Sequence, residues 1–319
     1  MIETIRHHLP HGIHLDCRCT GNPGKPLLLF LHGFPEGAFI WDGLMTPFAD
    51  RWRCVAPDLR GYGSSSRPTA VAAYKPKALL ADLVALIARE SPGKPAACVI
   101  AHDWGGALAW NLAIQHPALL QHLLIINAPH PGTFLRELQH NPAQQAASQY
   151  MHFLRRPDAA TRLLADDAKR LWDFFRTPLG AMPDWLTPEL RTQYMAHWQQ
   201  SLTSACLYYA ASPLVPPCGD DRSVAQITLP DAMLRTTVPT HIVWGTADAA
   251  LHPELLDGLT QWVPRLVVER VEGASHWLVH EQPQRIVRTL HQLLRTPCFP
   301  NEQTEQSASQ KATDFPLDY

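Results

Sequence analysis

The chain predicts a mostly parallel, twisted α/β sheet with helices on both faces, interrupted by an inserted helical lid. Three observations carry this. Short apolar runs alternate with helix-period stretches as far as Asn127. The alternation then gives way to a mainly helical, aromatic-rich segment from about 131 to about 231. It resumes afterwards with two further apolar runs and a closing helix.

Residues 2–8 and 13–20 read as a β-hairpin, with Pro10 and Gly12 at the turn. Residues 27–31 are continuously apolar, as in a strand buried on both faces. Residues 54–56 form another short strand, ending in a glycine-marked loop that contains Ser64, Ser65 and Ser66 as turn residues. Leu79, Leu80, Leu83, Leu86 and Ile87 share one face of a helix over 74–90. A strand at 96–100, a helix at 106–115 and a strand at 123–126 follow. In the insertion, Asn141-Pro142, Asp158 and Thr187-Pro188 start three helices. Strands at 241–244 and 266–271 and a helix at 284–294 complete the sheet domain. The expected division is 1–130 for the first part of the core, 131–231 for the helical cap and 232–298 for the second part. The polar stretch 299–319 is expected to be disordered.

With 46% hydrophobic and 18% charged residues, a packed globular protein is expected. The formal net charge is −2 and no basic stripe occurs, which disfavours nucleic acid. Residues 1–14 lack the apolar core of a signal peptide, and no run is long enough to span a bilayer. Seven scattered cysteines point to a reducing, cytoplasmic compartment. Cys17-Arg18-Cys19 reads as two residues on one strand face rather than a metal or redox pair. His7, His8, His11 and His14 cross the hairpin, and solvent exposure is expected for them rather than metal binding.

The chemistry centres on Asp103. It follows an apolar strand and precedes a helix in Ala101-His102-Asp103-Trp104-Gly105-Gly106, the context of a nucleophile elbow. The elbow usually presents serine, and the carboxylate changes what can be attacked. A serine that attacked a saturated carbon would form an ether, whereas a carboxylate forms an ester that water can cleave. Asp248 and His276 also follow predicted strands, and in a parallel sheet those strand ends share one edge. The order nucleophile, acid, histidine is that of α/β-hydrolases. His276 can act as general base on water, with Asp248 accepting its other ring N–H. His32-Gly33-Phe34-Pro35 follows a buried strand, so the N–H groups of Phe34 and Trp104 are placed to form an oxyanion hole.

These motifs, with the Asp58-Leu59-Arg60-Gly61-Tyr62-Gly63 loop, Trp244-Gly245-Thr246-Ala247-Asp248 and Gly273-Ala274-Ser275-His276-Trp277, resemble those of the epoxide hydrolases of the α/β-hydrolase superfamily. The resemblance spans residues 2–294, and Ala101 stands where the family often has glycine. It implies two lid tyrosines that bind the epoxide oxygen, matched in context by Tyr150 and Tyr209. Tyr208 competes for the second place; Tyr209 is preferred because the family usually has another aromatic before it. Phenols, with an ordinary pKa near ~10, can hydrogen-bond and protonate an alkoxide as it forms. Phe34, Trp104, Tyr150 and Tyr209 are then the expected substrate contacts. An apolar epoxide is the implied partner, no cofactor or metal is implied, and a homo-oligomer is compatible.

A haloalkane or haloacid dehalogenase uses the same carboxylate logic. A common halide-binding asparagine is replaced here by Phe34, and the stretch after the nucleophile, 104–111, has no arginine to hold a substrate carboxylate. A non-catalytic binding protein on this fold would be favoured by a missing triad member, and none is missing. A serine esterase is disfavoured because no serine occupies the elbow.

Overall fold

A computed structural model describes residues 1–177 and 179–295. The stretch expected to be disordered, 299–319, lies outside the described residues. Eight strands form one sheet: β1 (Glu3–His8), β2 (His14–Thr20), β3 (Leu27–Leu31), β4 (Arg53–Pro57), β5 (Cys98–His102), β6 (Leu123–Ile126), β7 (Thr240–Gly245) and β8 (Leu266–Val271). Their order is β1-β2-β4-β3-β5-β6-β7-β8. β2 runs antiparallel to both neighbours, and every pairing from β4 to β8 is parallel.

Strand alternation splits the apolar runs between two cores. Leu27, Leu29, Leu31, Val99, Leu123 and Ile125 pack on one face of the sheet. There they meet Leu83, Leu86 and Ile87 of the helix Pro76–Glu90 and Leu108 and Leu112 of the helix Asp103–Gln115. Leu28, Phe30, Ile100, Leu124 and Ile126 face the other side, against Trp41, Met45, Ile286 and Leu290. Burial on both faces explains why these strands read as continuous apolar runs rather than alternating ones.

The elbow strand runs two residues later than expected. β5 continues through His102, which still pairs with Ile126, and the helix begins directly at Asp103. The hairpin turns where expected, at Gly12 with φ +82°, closed by Leu9 N–H donating to Ile13 O at 2.7 Å. Cys17 and Cys19 share the buried face of β2.

Of the histidine cluster, His8 and His11 are exposed as expected and His14 is half-buried, whereas His7 departs from the expectation. His7 is 5% exposed and faces Glu90, because the inward side of β1 packs over the C-terminal end of the helix Pro76–Glu90. His11 Nε2 reaches Asp82 Oδ1 at 2.6 Å.

Between β6 and β7 lie the helices Pro131–His140, Pro142–Ala147, Tyr150–Leu154, Ala159–Asp173, Pro188–Ala205 and Leu207–Ala211. Asn141 Oδ1 and Thr187 Oγ1 cap their helices. Asp158 sits at the expected helix start, but its carboxylate pairs with Arg156 and Arg162 instead of capping. The helix that Asp158 starts is broken further on: Asp166, Asp167 and Ala168 adopt positive φ. From 212 to 231 the chain is less helical than expected and contains only short 3-10 turns at Ser223–Gln226 and Asp231–Met233. Pro213, Pro216, Pro217 and Pro230 remove the backbone donors a helix needs there.

Candidate active site

β5, β7 and β8 end on the same edge of the sheet, and Asp103, Asp248 and His276 follow those ends. Asp103 holds φ at +50°, a left-handed conformation that a non-glycine residue adopts only when its surroundings enforce it. A Cβ at Gly105 would overlap the carbonyls of Leu31 and His32, so glycine is needed for the elbow to pass β3. Ala101 is fully buried within β5 and leaves this turn intact.

The Phe34 N–H donates to Asp103 Oδ1 at 2.6 Å. Among the described residues, the Trp104 N–H makes no hydrogen bond to the same carboxylate. The Trp104 indole instead stands edge-on to Tyr209, 5.2 Å between centroids. His276 Nε2 lies 3.7 Å from Asp103 Oδ2, and its Nδ1–H donates to Asp248 Oδ2 at 2.7 Å. Asp248 is fully satisfied: Oδ1 accepts from the N–H groups of Ala250 and Leu251 at 2.8 and 2.9 Å, and Oδ2 also accepts from Asn127 Nδ2 at 2.7 Å.

A cavity of about 880 Å³ opens beside Asp103, in the size range of small-molecule sites. Trp104, Tyr150, Tyr209, Met233 and Leu251 are among its walls. Tyr209 packs edge-on to Phe34 at 5.2 Å and to Tyr150 at 6.0 Å. Tyr208 also reaches the cavity, but its hydroxyl donates to the Arg60 carbonyl at 2.7 Å.

The chain matches the family model for the alpha/beta hydrolase fold over residues 26–283. It is 33% identical to Epoxide hydrolase 1 of Caenorhabditis elegans over 84% of this chain and 64% of that protein. It is 31% identical to Epoxide hydrolase 3 of Xenopus tropicalis over 89% of this chain and 75% of the relative. A solved structure described among novel epoxide hydrolases from metagenomes of hot environments superposes with a TM-score of 0.79. That structure is 35% identical, over 92% of this chain and 99% of the other. The chain belongs to the epoxide hydrolases of the α/β-hydrolase superfamily.

The electrostatics of this family member separate the two kinds of ionisable group. Burial opposes a charged His276, but the charge and hydrogen bond of Asp248, with Asp103 and Glu36 nearby, lift it to about 9. Burial also opposes the Asp248 carboxylate, yet His276 and Asn127 hold it below the usual carboxylate range. Tyr150 and Tyr209 are pushed upward by burial and by the Asp103 charge, so both keep their protons.

Sequence reasoning missed three supporting residues. Asn127 follows β6 directly, so the rule that found the triad, a polar residue just past a parallel strand, reaches it too. Glu36 directly follows the His32-Gly33-Phe34-Pro35 motif. Its carboxylate takes Tyr194 Oη–H at 2.5 Å and His280 Nε2 at 2.7 Å, and faces His102 Nδ1 at 3.3 Å. His197 Nε2 at 3.0 Å and Trp198 Nε1 at 2.7 Å hold the carbonyls of Glu36 and Pro35, which ties the inserted helices to the loop carrying Phe34. Gln144 is the third, and no local signal marks it.

A second cluster lies away from the cavity. His7, Cys19 and Glu90 offer ligand atoms within 4.8 Å of one another. Arg89 Nε donates to His7 Nδ1 at 2.9 Å, so the ring proton sits on Nε2, 2.8 Å from Glu90 Oε1. Arg53 Nε takes the other Glu90 oxygen at 2.9 Å. A histidine ligand needs the opposite arrangement, its second nitrogen facing an acceptor. The cluster reads as a charge-balanced clamp of the hairpin onto the helix.

Proposed function

We propose that this chain hydrolyses an apolar epoxide to a vicinal diol through a covalent ester on Asp103. The carrying observation is a carboxylate on a strained elbow, bonded to the Phe34 N–H and facing His276 Nε2 across 3.7 Å. Kinship with proteins named epoxide hydrolases supports the reading.

Asp103 Oδ attacks one ring carbon from the side opposite the epoxide oxygen. The C–O bond breaks, and Tyr150 and Tyr209 hydrogen-bond the departing oxygen and supply its proton, making the first hydroxyl. The resulting ester removes the Asp103 charge. One of the influences holding His276 protonated is then gone, and its pKa falls from about 9. A ring suited to the charged form in the resting state thus becomes a base once the ester exists. Neutral His276 takes a proton from water, and the hydroxide attacks the ester carbonyl of Asp103. The oxyanion develops on Asp103 itself, where the Phe34 N–H already points and the Trp104 N–H is adjacent in the chain. On collapse the ester C–O bond breaks, and the departing alkoxide takes the proton held by His276 to complete the diol. The remaining proton of the attacking water returns to the tyrosine that gave one up, which restores the Asp103 carboxylate. Phe34, Trp104, Tyr150 and Tyr209 contact substrate, and the helices of 131–231 act as a cap that excludes water from the alkylation step.

No step calls on a cofactor or metal. No helix among the described residues is long and apolar enough to cross a membrane. We place the protein in the cytoplasm because the six described cysteines are free thiols.

The test is trapping. His276→Gln treated with a styrene-oxide-like epoxide is expected to accumulate the ester, adding the epoxide mass to the peptide containing Asp103. Label on another residue, or none while the wild type turns over, would overturn the mechanism.

A further inference from the structure

The loop that presents Asp248 is gripped from the inserted helices. The helix Pro142–Ala147 is capped by Asn141 Oδ1, which accepts from Ala143 N–H at 2.9 Å and Gln144 N–H at 3.3 Å. This cap fixes Gln144, whose side chain is fully buried. Its Nε2 donates to the Ala250 carbonyl at 2.8 Å and to Ser148 Oγ at 2.9 Å. Its Oε1 accepts from the His252 N–H at 3.0 Å. Ala250 therefore gives its N–H to Asp248 Oδ1 and its carbonyl to Gln144. One residue of loop separates the triad acid from a side chain of the lid.

We propose that Gln144 is a positioning residue for Asp248, through which the placement of the inserted helices sets the orientation of the triad acid. The inference rests on the epoxide hydrolase reading above. A buried amide with all of its polar atoms engaged is a costly and therefore directional contact. It closes a ring, Gln144 to Ala250 to Asp248 and back through Leu251 and His252, that leaves the carboxylate one orientation.

The two chemical steps respond differently to such a residue. Alkylation uses Asp103 and the tyrosines. Ester hydrolysis uses His276, and the imidazolium that forms leans on Asp248. His276 is faced by the carboxylates of Asp248, Asp103 and Glu36 and by the rings of His102 and Trp277. Once Asp103 is esterified, Asp248 is its nearest remaining acid. A looser Asp248 lowers the pKa of His276 in the ester, so the acid limb of kcat moves to lower pH while the maximum falls.

The test is Gln144→Met in the full chain, with single-turnover and steady-state kinetics on a styrene-oxide-like epoxide. Alkylation is expected within about twofold of wild type and hydrolysis slower by about tenfold, the scale of one to two hydrogen bonds. The alkyl-enzyme accumulates, KM falls with kcat, and the acid limb of kcat shifts downward. Gln144→Glu, which keeps the acceptor for His252 but loses both donations, repeats the test if the methionine variant does not fold. Unchanged hydrolysis, or both steps falling equally with an unshifted pH profile, overturns the proposal. Failure of wild type to form the Asp103 ester sinks the underlying reading instead.

Discussion

Two of the buried carboxylate–histidine pairs among the described residues have nearly the same nitrogen–oxygen distance. His276 Nδ1 meets Asp248 at 2.7 Å, and His7 Nε2 meets Glu90 at 2.8 Å. What differs is the other ring nitrogen and the other carboxylate oxygen. In the first pair the free nitrogen looks across 3.7 Å at Asp103, beside a cavity. In the second it accepts from Arg89, and Glu90 is closed off by Arg53. A close acid–histidine pair is thus not a catalytic signature by itself. The chemistry lies in a nitrogen left available and a place for substrate beside it.

The sharpest way to break this contrast is to disable each acid in turn. Asp248→Asn keeps the shape but removes the charge and favours the wrong ring tautomer. Release of the Asp103 ester is expected to slow by about a thousandfold or more. Glu90→Gln is expected to leave kcat within about twofold. Rapid-quench measurement of ester decay checks the first, and steady-state turnover checks the second. Equal losses in the two variants would erase the distinction.

A smaller effect is expected at the cavity. Replacing both Tyr150 and Tyr209 with Phe removes the donors to the departing oxygen while keeping the rings that pack on Phe34 and Trp104. The alkylation rate is expected to fall by about a hundredfold or more, with ester hydrolysis little changed in any ester that forms. Stopped-flow fluorescence resolves the two phases. An unchanged alkylation phase would mean that neither hydroxyl serves the oxygen. Tyr208 would then not be the substitute, since its own hydroxyl is held by the Arg60 carbonyl.

The sheet was legible in the sequence because each central strand is an apolar run bounded by turn residues, and the triad was legible because each member follows such a run. Asp103 carried a further signal, a carboxylate where the elbow expects serine. The pairings that support the triad were not legible. Asn127 and Asp248 lie 121 residues apart, and Gln144 and Ala250 lie 106 apart. Nothing periodic or local marks a long-range hydrogen bond. The misreading of His7 has the same root. Alternation along β1 says that every second residue faces inward, but only the packing of the helix Pro76–Glu90 says that the inward side of His7 is closed. The irregular stretch 212–231 is a different case. Its prolines were visible, and their missing donors explain why the helical reading does not extend across it.

The two pairs also divide the pH axis, which gives the smallest and cleanest separation. Burial opposes the Glu90 carboxylate, but His7 and Arg53 bring it down to about 2 from an ordinary 4.5. A depressed carboxylate contributes stability above its unfolded pKa and loses it as pH falls toward the folded value. His276 runs the other way. Its pKa is raised to about 9 from 6.5, so its contribution is complete below 6.5 and disappears as pH rises through 9. Glu90→Gln is therefore expected to destabilise the protein at neutral pH by ~2 kcal/mol, below the ~3–5 kcal/mol of a fully buried broken pair because Glu90 keeps some solvent contact. It should also flatten the loss of stability between about pH 4.5 and 2. His276→Gln should leave that acid limb in place and flatten the alkaline one. Denaturant midpoints measured across pH for the three proteins resolve this. If Glu90→Gln instead altered the alkaline limb, the hairpin clamp and the triad would be coupled through the sheet, and the separation between a structural pair and a chemical one would not hold.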